Sequence, residues 1–255
     1  MLKISHIQCR VNNIKKAVSN FEKAGFQVEW GRNPKNSLNA FIWFEQGPFI
    51  ELFEMKWFMS PISVPLGIIY GNSMHERWMK WMDQREGLID FALEGYKEDI
   101  AKQDNLQVVR KEINNLGIRT SKVLNGRRKK PTGEIVTYGF FSMSPRELPF
   151  VVSAYSTPQR PKHIHHSNGS KYIHSMSISC TKDSSEVLNA ILKDNVKLNV
   201  NVDTVFKIDS ITIEGLLEKI DPQLLHGANL MNKEYILLEK KGEVLSEQNV
   251  EKLKK

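Results

Sequence analysis

Two segments of this sequence repeat the same order of secondary structure, and this repetition constrains the fold more than any other feature. In each segment an alternating strand is followed by a helix that ends at a glycine, Gly25 or Gly117, and then by three more strands. The predicted strands are 4–11, 26–30, 39–44 and 49–54 in the first segment, and 88–94, 118–124, 134–143 and 148–155 in the second. The sequence therefore predicts an α+β fold built from repeated βαβββ modules.

The repeat also predicts how the chain is divided. Residues 1–160 are expected to hold a pair of modules, 1–56 and 87–157, joined by a linker and a helix over 57–86. Residues 161–255 are expected to form a third, shorter βαβββ-like module with a C-terminal tail. Because a lone module cannot bury its sheet, the third module either caps the paired sheet or meets its counterpart in a homodimer.

The overall charge of the chain raises the question of nucleic acid. The formal charge is +7, with one basic run, 127–130, between Asn125-Gly126 and Pro131-Thr132-Gly133. No aromatic stacking pattern or known DNA-binding spacing accompanies this run. We interpret it as a solvated hairpin loop, with a phosphate-binding patch as the alternative, and we expect no specific nucleic-acid partner.

The cysteines and the apolar stretches indicate the compartment. Cys9 and Cys180 lie in predicted strands without metal-ligand spacing, so we expect buried free thiols. The apolar stretches, such as 62–70, are too short for a membrane span, and the start of the chain leads directly into a strand. These features favour the cytoplasm and no membrane partner.

The first and fourth strands of the first module carry the candidate functional residues. Side chains alternate across a strand, so the polar residues His6, Gln8 and Arg10 share one face and the apolar residues Ile7, Cys9 and Val11 share the other. On the fourth strand, Glu51 lies between two aromatic residues on one face. A carboxylate in that setting binds a metal or a donor, or it is a surface residue.

The segments "ISHIQCRVNNIKKAVSNFEKAGFQVEWG", "NAFIWFEQGPFIELFEM" and "LPFVVSAY" resemble the glyoxalase-like branch of the vicinal oxygen chelate superfamily. That superfamily includes glyoxalases, bleomycin resistance proteins and dihydroxybiphenyl dioxygenases. The resemblance covers residues 1–160. It implies paired modules that form a concave mixed sheet, with helices on the outer face and a cleft for a small molecule between the modules.

The resemblance also implies a metal site on the first and fourth strands of each module. Carried over by position, it gives His6, Glu51 and Asp90 as ligands, with Val152 at the fourth position, where it cannot coordinate. One imidazole and two carboxylates suit Zn²⁺, Mn²⁺, Fe²⁺ or Ni²⁺. Glu51 is then also the candidate catalytic base. A site without metal, in which His6 and Glu51 bond each other or a bound molecule, is the alternative.

Four further residues are candidates for substrate binding in the same cleft. Arg10 either holds an acidic substrate or pairs with Glu94 across the module interface. The others are Asn39, which opens the third strand, and the aromatic residues Trp43 and Phe49.

Two functions follow from these expectations. The first is a metal-dependent lyase, isomerase or oxygenase that acts on a small oxygenated molecule. The alternative is a small-molecule binding protein of the antibiotic-binding type, which has the same fold and no catalytic activity.

Overall fold

The computed structural model describes residues 2–83, 85–95, 106–192, 196–217 and 219–233. The first module comprises β1 (Leu2–Arg10), α1 (Ile14–Lys23), β2 (Glu29–Trp30), β3 (Asn39–Ile42) and β4 (Phe49–Phe53). A 3₁₀ helix (Trp57–Ile62), α2 (Ser63–Tyr70) and α3 (Asn72–Met82) follow it. The second module comprises β5 (Gly87–Gly95), α4 (Leu106–Asn115), β6 (Arg119–Thr120), β7 (Leu124–Lys129), β8 (Ile135–Ser144) and β9 (Phe150–Val152).

The C-terminal segment forms the remaining elements: β10 (Tyr172–Cys180), α5 (Lys182–Ile191), β11 (Lys197–Val202), β12 (Lys207–Glu214), a 3₁₀ helix (Pro222–Leu224) and β13 (Leu230–Asn232). The α+β class with repeated βαβββ modules is confirmed. The predicted strand at 234–239 and the tail from Gly242 lie outside the described residues.

The two modules join into one nine-stranded sheet. Its order is β2-β3-β4-β1-β5-β9-β8-β6, with β7 paired to β8. The modules meet where β1 runs antiparallel to β5, and the β1–β5 register shifts once on each side of the centre. Each shift leaves one extra residue, Ser5 on β1 and Ile89 on β5. Such bulges increase the local twist of the sheet at its middle.

Local sequence explains how α1 covers the outer face of this sheet. Asn13 caps the helix, since its side-chain oxygen accepts a hydrogen bond from the backbone N–H of Lys16. The helix buries Ile14, Ala17, Val18 and Phe21. It ends before Gly25, whose φ of +85° is costly for other residues and where the Cβ of any other residue would clash with Asn168.

The C-terminal segment forms its own four-stranded sheet, with the order β11-β10-β12-β13. Its pairings, parallel then antiparallel then parallel, repeat those of the central strands β4-β1-β5-β9. Ile211 and Ile213 of β12 belong to the same hydrophobic core as Phe91 and Leu93 of β5. The C-terminal sheet therefore caps the outer face of the large sheet, and the expected homodimer stays a prediction.

The part of 57–86 that was expected to be a linker before the helix is itself helical. Residues 57–62 form the 3₁₀ helix and residues 63–70 form α2. The prolines suggested irregular chain, but Pro65 lies in the first turn of α2, where its missing N–H is not needed. Several large apolar side chains of this stretch are exposed, including Trp57 and Ile68. Among the described helices, none has the length and apolar character needed to cross a bilayer.

The packing of the two sheets predicts the effect of a core substitution. Phe91 is fully buried, and its ring stacks on Phe206 of the C-terminal segment at 6.4 Å. We expect Phe91→Ala to lower the free energy of unfolding by about 3–5 kcal/mol, because it leaves a cavity between the sheets. Urea denaturation followed by circular dichroism measures this change.

The matched control is Phe58→Ala, since the Phe58 side chain is 61% exposed. We expect this control to stay within about 0.5 kcal/mol of the parent protein. A loss of less than about 1 kcal/mol for Phe91→Ala would show that the two sheets do not share a core.

Candidate functional site

A cavity of about 470 Å³ lies on the face of the large sheet opposite α1. Alternate residues of β1 and β4 point into it, because residues directly opposite each other on neighbouring strands share a face. Helix α3 closes one wall with Trp78 and Trp81. The other walls come from β3, β7, β8 and β9, and the chain after β9 adds Tyr155.

His6 and Glu51 meet at the floor of this cavity. The register pairs Gln8 with Glu51, so that His6 Nε2 lies 3.4 Å from Glu51 Oε2. Gln8 Nε2 donates to the same oxygen at 3.4 Å, and Asn39 Nδ2 donates to Oε1 at 2.9 Å. Glu51 is therefore fixed by two neutral amides and an imidazole.

The surroundings of His6 favour the neutral form of its imidazole. Its ring stacks on Phe49 with 4.8 Å between ring centroids and meets the edge of Phe150 at 5.6 Å. Burial lowers the pKa of His6 below 6.5, although the carboxylates of Glu51, Glu94 and Asp90 oppose that shift. A neutral imidazole does not neutralise the charge of the Glu51 carboxylate.

A chain of contacts leads from His6 towards the surface. Ser5, the extra residue of the β1 bulge, places Oγ 3.4 Å from His6 Nδ1 and donates to Glu94 Oε2 at 3.0 Å. Glu94 in turn lies 3.2 Å from Lys3 Nζ, and both side chains are partly exposed. Because of the bulge, Ser5 and His6 can both serve this network, although they are adjacent in sequence.

Asp90 is the partner of two cations. Its oxygens accept from Arg77 Nη1 at 2.6 Å, Lys80 Nζ at 2.9 Å and Trp81 Nε1 at 2.8 Å, all from α3. Burial alone would raise the pKa of Asp90, but the charges of Arg77 and Lys80 hold it below its usual value. Burial also lowers the pKa of Lys80 to about 8. Asp90 therefore holds α3 on the sheet through these three bonds.

The paired bulges define which positions of the two modules correspond. Since Ser5 corresponds to Ile89, His6 corresponds to Asp90 and Gln8 to Ala92. Gln8 pairs with Glu51 and Ala92 pairs with Phe150, so the counterpart of Glu51 is Phe150. The assignment of Val152 to this position was wrong by two residues, although Phe150 cannot coordinate a metal either.

The donor set does not fit the metal centre that the resemblance implied. Catalytic zinc and facial-triad iron sites take about three protein ligands. Here His6 and Glu51 are in contact, Asp90 is bonded to Arg77 and Lys80, and the fourth position is Phe150. Within the described ranges, no group of three or more His, Cys, Asp or Glu side chains is close enough to hold an ion.

Of the four residues expected to bind substrate, the structure places Asn39 at the cavity wall. Arg10, Trp43 and Phe49 are not among the described residues that line it. Arg10 donates to Asn12 Oδ1 at 2.7 Å, while Glu94 pairs with Lys3. Trp43 and Phe49 pack on each other at 4.1 Å, and Phe49 stacks on His6.

Sequence reasoning missed Arg128, which lines the cavity and is only 7% exposed. The basic run was interpreted as a loop, but most of it lies in β7, which pairs with β8. Strand alternation therefore turns Arg128 inward, while Arg127 and Lys129 stay exposed. The signal was present, since a strand through Asn125-Gly126 would have placed every second basic residue on the inner face.

The Asp90 cluster predicts a large loss of stability on substitution. Asp90→Ala leaves Arg77 and Lys80 without their carboxylate in a buried site, and we expect a cost of about 3–5 kcal/mol in urea denaturation. Asp83→Ala is the control, because Asp83 pairs with Arg85 at the surface and we expect a cost of less than about 1 kcal/mol. If Asp90→Ala costs no more than this control, Asp90 does not hold α3 on the sheet.

The fold is similar to that of solved structures of other proteins. One is the crystal structure of a hypothetical protein from Staphylococcus aureus. The similarity covers 90% of this chain and 98% of that one, with a TM-score of 0.62 and 12% sequence identity. An Mn(II)-bound glyoxalase from Novosphingobium aromaticivorans is similar over 84% of this chain and 65% of that one, with a TM-score of 0.49 and 8% identity.

A homoprotocatechuate 2,3-dioxygenase from Brevibacterium fuscum is similar over 83% of this chain and 63% of that one, with a TM-score of 0.47 and 10% identity. No curated protein sequence matches this chain significantly. Residues 4–193 match the family model of the glyoxalase-like domain, which is more than half of the chain. The chain therefore belongs to the glyoxalase-like domain family.

Proposed function

We propose that this protein binds a small organic molecule in the cavity on the concave face, and that it does so without a metal ion. The observation that carries the proposal is the Glu51 carboxylate, held by neutral donors at the floor of a cavity of about 470 Å³. Ligand sites typically combine apolar walls with a few fixed polar groups, in a volume of about 300–1,000 Å³. This cavity has both properties.

The apolar walls of the cavity fit a ligand that is mainly aromatic or otherwise apolar. Trp78, Trp81, Phe140 and Phe150 line one side, and Phe41 lies on the other. Trp81 packs on the edge of Phe150 at 5.3 Å, and Phe140 packs on Phe150 at 5.9 Å, so this wall is fixed by its own contacts. A preformed wall reduces the ordering cost of binding.

The family supports a small-molecule role in general terms, since members of the superfamily bind small-molecule substrates. The metal-dependent lyase, isomerase or oxygenase expected from the sequence needs ligands that Asp90 and Phe150 do not supply. We therefore place the binding protein first.

A metal-free enzyme is the second candidate, and one observation favours it. Glu51, His6, Ser5 and Glu94 form a continuous row from the cavity to the partly exposed Lys3. Glu51 would remove a proton from the ligand as a general base, and His6 would stabilise the resulting carboxylic acid. The row gives the proton a path to solvent.

The binding function predicts that ligand binding does not need a metal. Small aromatic molecules, screened in the presence of EDTA, are expected to raise the melting temperature of the protein. At about 100 times the Kd the added stability is about 2.7 kcal/mol, which is several degrees for a chain of this size. Val152→Trp, which fills the cavity wall, is expected to abolish the shift without unfolding the protein.

The control for the screen is Val202→Trp, since Val202 is 68% exposed on the C-terminal sheet, and this variant is expected to keep the shift. Equal shifts in both tryptophan variants would place the ligand elsewhere. Turnover of a bound compound that is lost in Glu51→Gln would instead establish the metal-free enzyme.

The few side chains that could bind a metal in the cavity predict how much metal the purified protein holds. Protein purified without a histidine tag, from cells supplied with Mn, Fe, Ni and Zn, is expected to hold less than about a tenth of a metal per chain. The His6→Ala variant is expected to hold the same amount, because His6 and Glu51 alone make too few bonds. A stoichiometric metal that disappears in His6→Ala would overturn the metal-free proposal and restore the metal-dependent enzyme.

A further inference from the structure

We propose that the cavity takes a compact aromatic zwitterion, a molecule with a protonated amine at one end and a carboxylate at the other. This inference rests on the proposed function, because it names the chemical class of the ligand that the same cavity binds. It comes from two opposite charges that line the cavity, Glu51 and Arg128, and that form no ion pair with each other.

Glu51 lies at the end of the cavity that binds the protonated amine of the ligand. Its side chain is 16% exposed, and its closest ionisable partner is the buried imidazole of His6 at 3.4 Å. Beside it, Gln8 Oε1 is buried without a donor from the described part of the chain. A buried acceptor without a donor costs about 1–3 kcal/mol. A protonated amine has enough N–H groups to satisfy both Glu51 and Gln8.

Arg128 supplies the end that receives the carboxylate. Its Nη1 donates to the carbonyl oxygen of Gly31 at 2.8 Å, and its Nη2 donates to Gln159 Oε1 at 2.7 Å. Both acceptors are neutral, and the Nε of Arg128 has no acceptor among the described residues. The guanidinium is thus fixed in position and buried, and among the described residues it has two neutral acceptors but no carboxylate partner. A buried charge of this kind favours a counter-charge from a ligand.

Aromatic rings lie next to both Glu51 and Arg128, which indicates that the part of the ligand between its two charges is aromatic. Phe41 is the cross-strand neighbour of Glu51, and its ring centroid lies 4.8 Å from Arg128 Cζ. Tyr155 lies on the same guanidinium at 5.7 Å. An apolar cavity of about 150 Å³ accommodates benzene, so this cavity has room for one substituted ring. A ligand with only one charge would leave the other charge of the cavity without a partner.

Arg32 also lines the cavity and strengthens the asymmetry of charge. Its Nη2 donates to the carbonyl oxygen of Arg127, the residue next to Arg128. The carboxylate end of the ligand therefore lies on the β7 side of the cavity, and the amine end lies on the β1 and β4 side. Because the two ends of the ligand contact different strands, a single substitution can weaken the binding of one end and not of the other.

The experiment compares three probes of one size by isothermal titration calorimetry at pH 7 with EDTA present. They are 4-(aminomethyl)benzoate, which carries both charges, benzylamine, which carries only the amine, and benzoate, which carries only the carboxylate. We expect the first probe to bind at least about tenfold more tightly than either of the others, since each charge-assisted contact contributes about one factor of ten or more.

Two single substitutions then assign the ends. Glu51→Gln is expected to remove the preference for the amine without weakening benzoate binding, because it removes a negative charge from the cavity. Arg128→Met is expected to remove the preference for the carboxylate without weakening benzylamine binding, because it removes a positive charge from the cavity. Arg127→Met is the matched control for Arg128→Met, because its side chain is exposed on the same strand, and it is expected to change none of the three affinities. If Arg128→Met does not fold, the selectivity of the parent protein and of Glu51→Gln decides the question.

The outcomes separate this inference from the proposed function. Charge-dependent selectivity with opposite responses in Glu51→Gln and Arg128→Met supports a zwitterionic ligand. If neutral aromatic compounds bind as tightly as the charged probes, the zwitterion is wrong while a small-molecule function stands. If neither the probes nor any compound of the wider screen binds in the cavity, both proposals fail.

Discussion

The structure depends on the antiparallel pairing of β1 with β5. This pairing joins two modules that cannot bury their sheets separately, and its paired bulges set which residues of the two strands correspond. It brings His6, Gln8 and Asp90 to one face and leaves the opposite face for α1 and the C-terminal sheet. The cavity and the hydrophobic core are consequences of the same set of backbone hydrogen bonds.

The two modules use corresponding positions for different purposes. His6 faces the cavity and contacts Glu51, whereas its counterpart Asp90 is neutralised by Arg77 and Lys80 of α3. One half of a symmetrical arrangement has thus become a structural cluster that fixes the wall of the cavity. The other half keeps a carboxylate without a cation. This difference explains why a metal site at the centre of the pair does not fit this sequence.

The C-terminal sheet has the same pair of register shifts between its two central strands as the large sheet. Its strands β10 and β12 pair with two register shifts, as β1 and β5 do, and the extra residues are His174 and Asp209. His174 is therefore the counterpart of Ser5, and the counterpart of His6 is Ser175. Since β12 packs on the outer face of β5, this smaller sheet buries the face that the helices leave uncovered.

The modules, the helix ends at Gly25 and Gly117, and the face on which His6 and Glu51 lie follow from the amino-acid pattern alone, because they depend on the local periods of strands and helices. The bond between Asp90 and α3, the absence of Arg10 and Trp43 from the described cavity lining, and the inward position of Arg128 depend on how the elements pack. The physical reason is that register shifts, helix docking and hairpin pairing join residues far apart in the chain. A local pattern gives the face of a side chain, but the partner that neutralises its charge comes from another element.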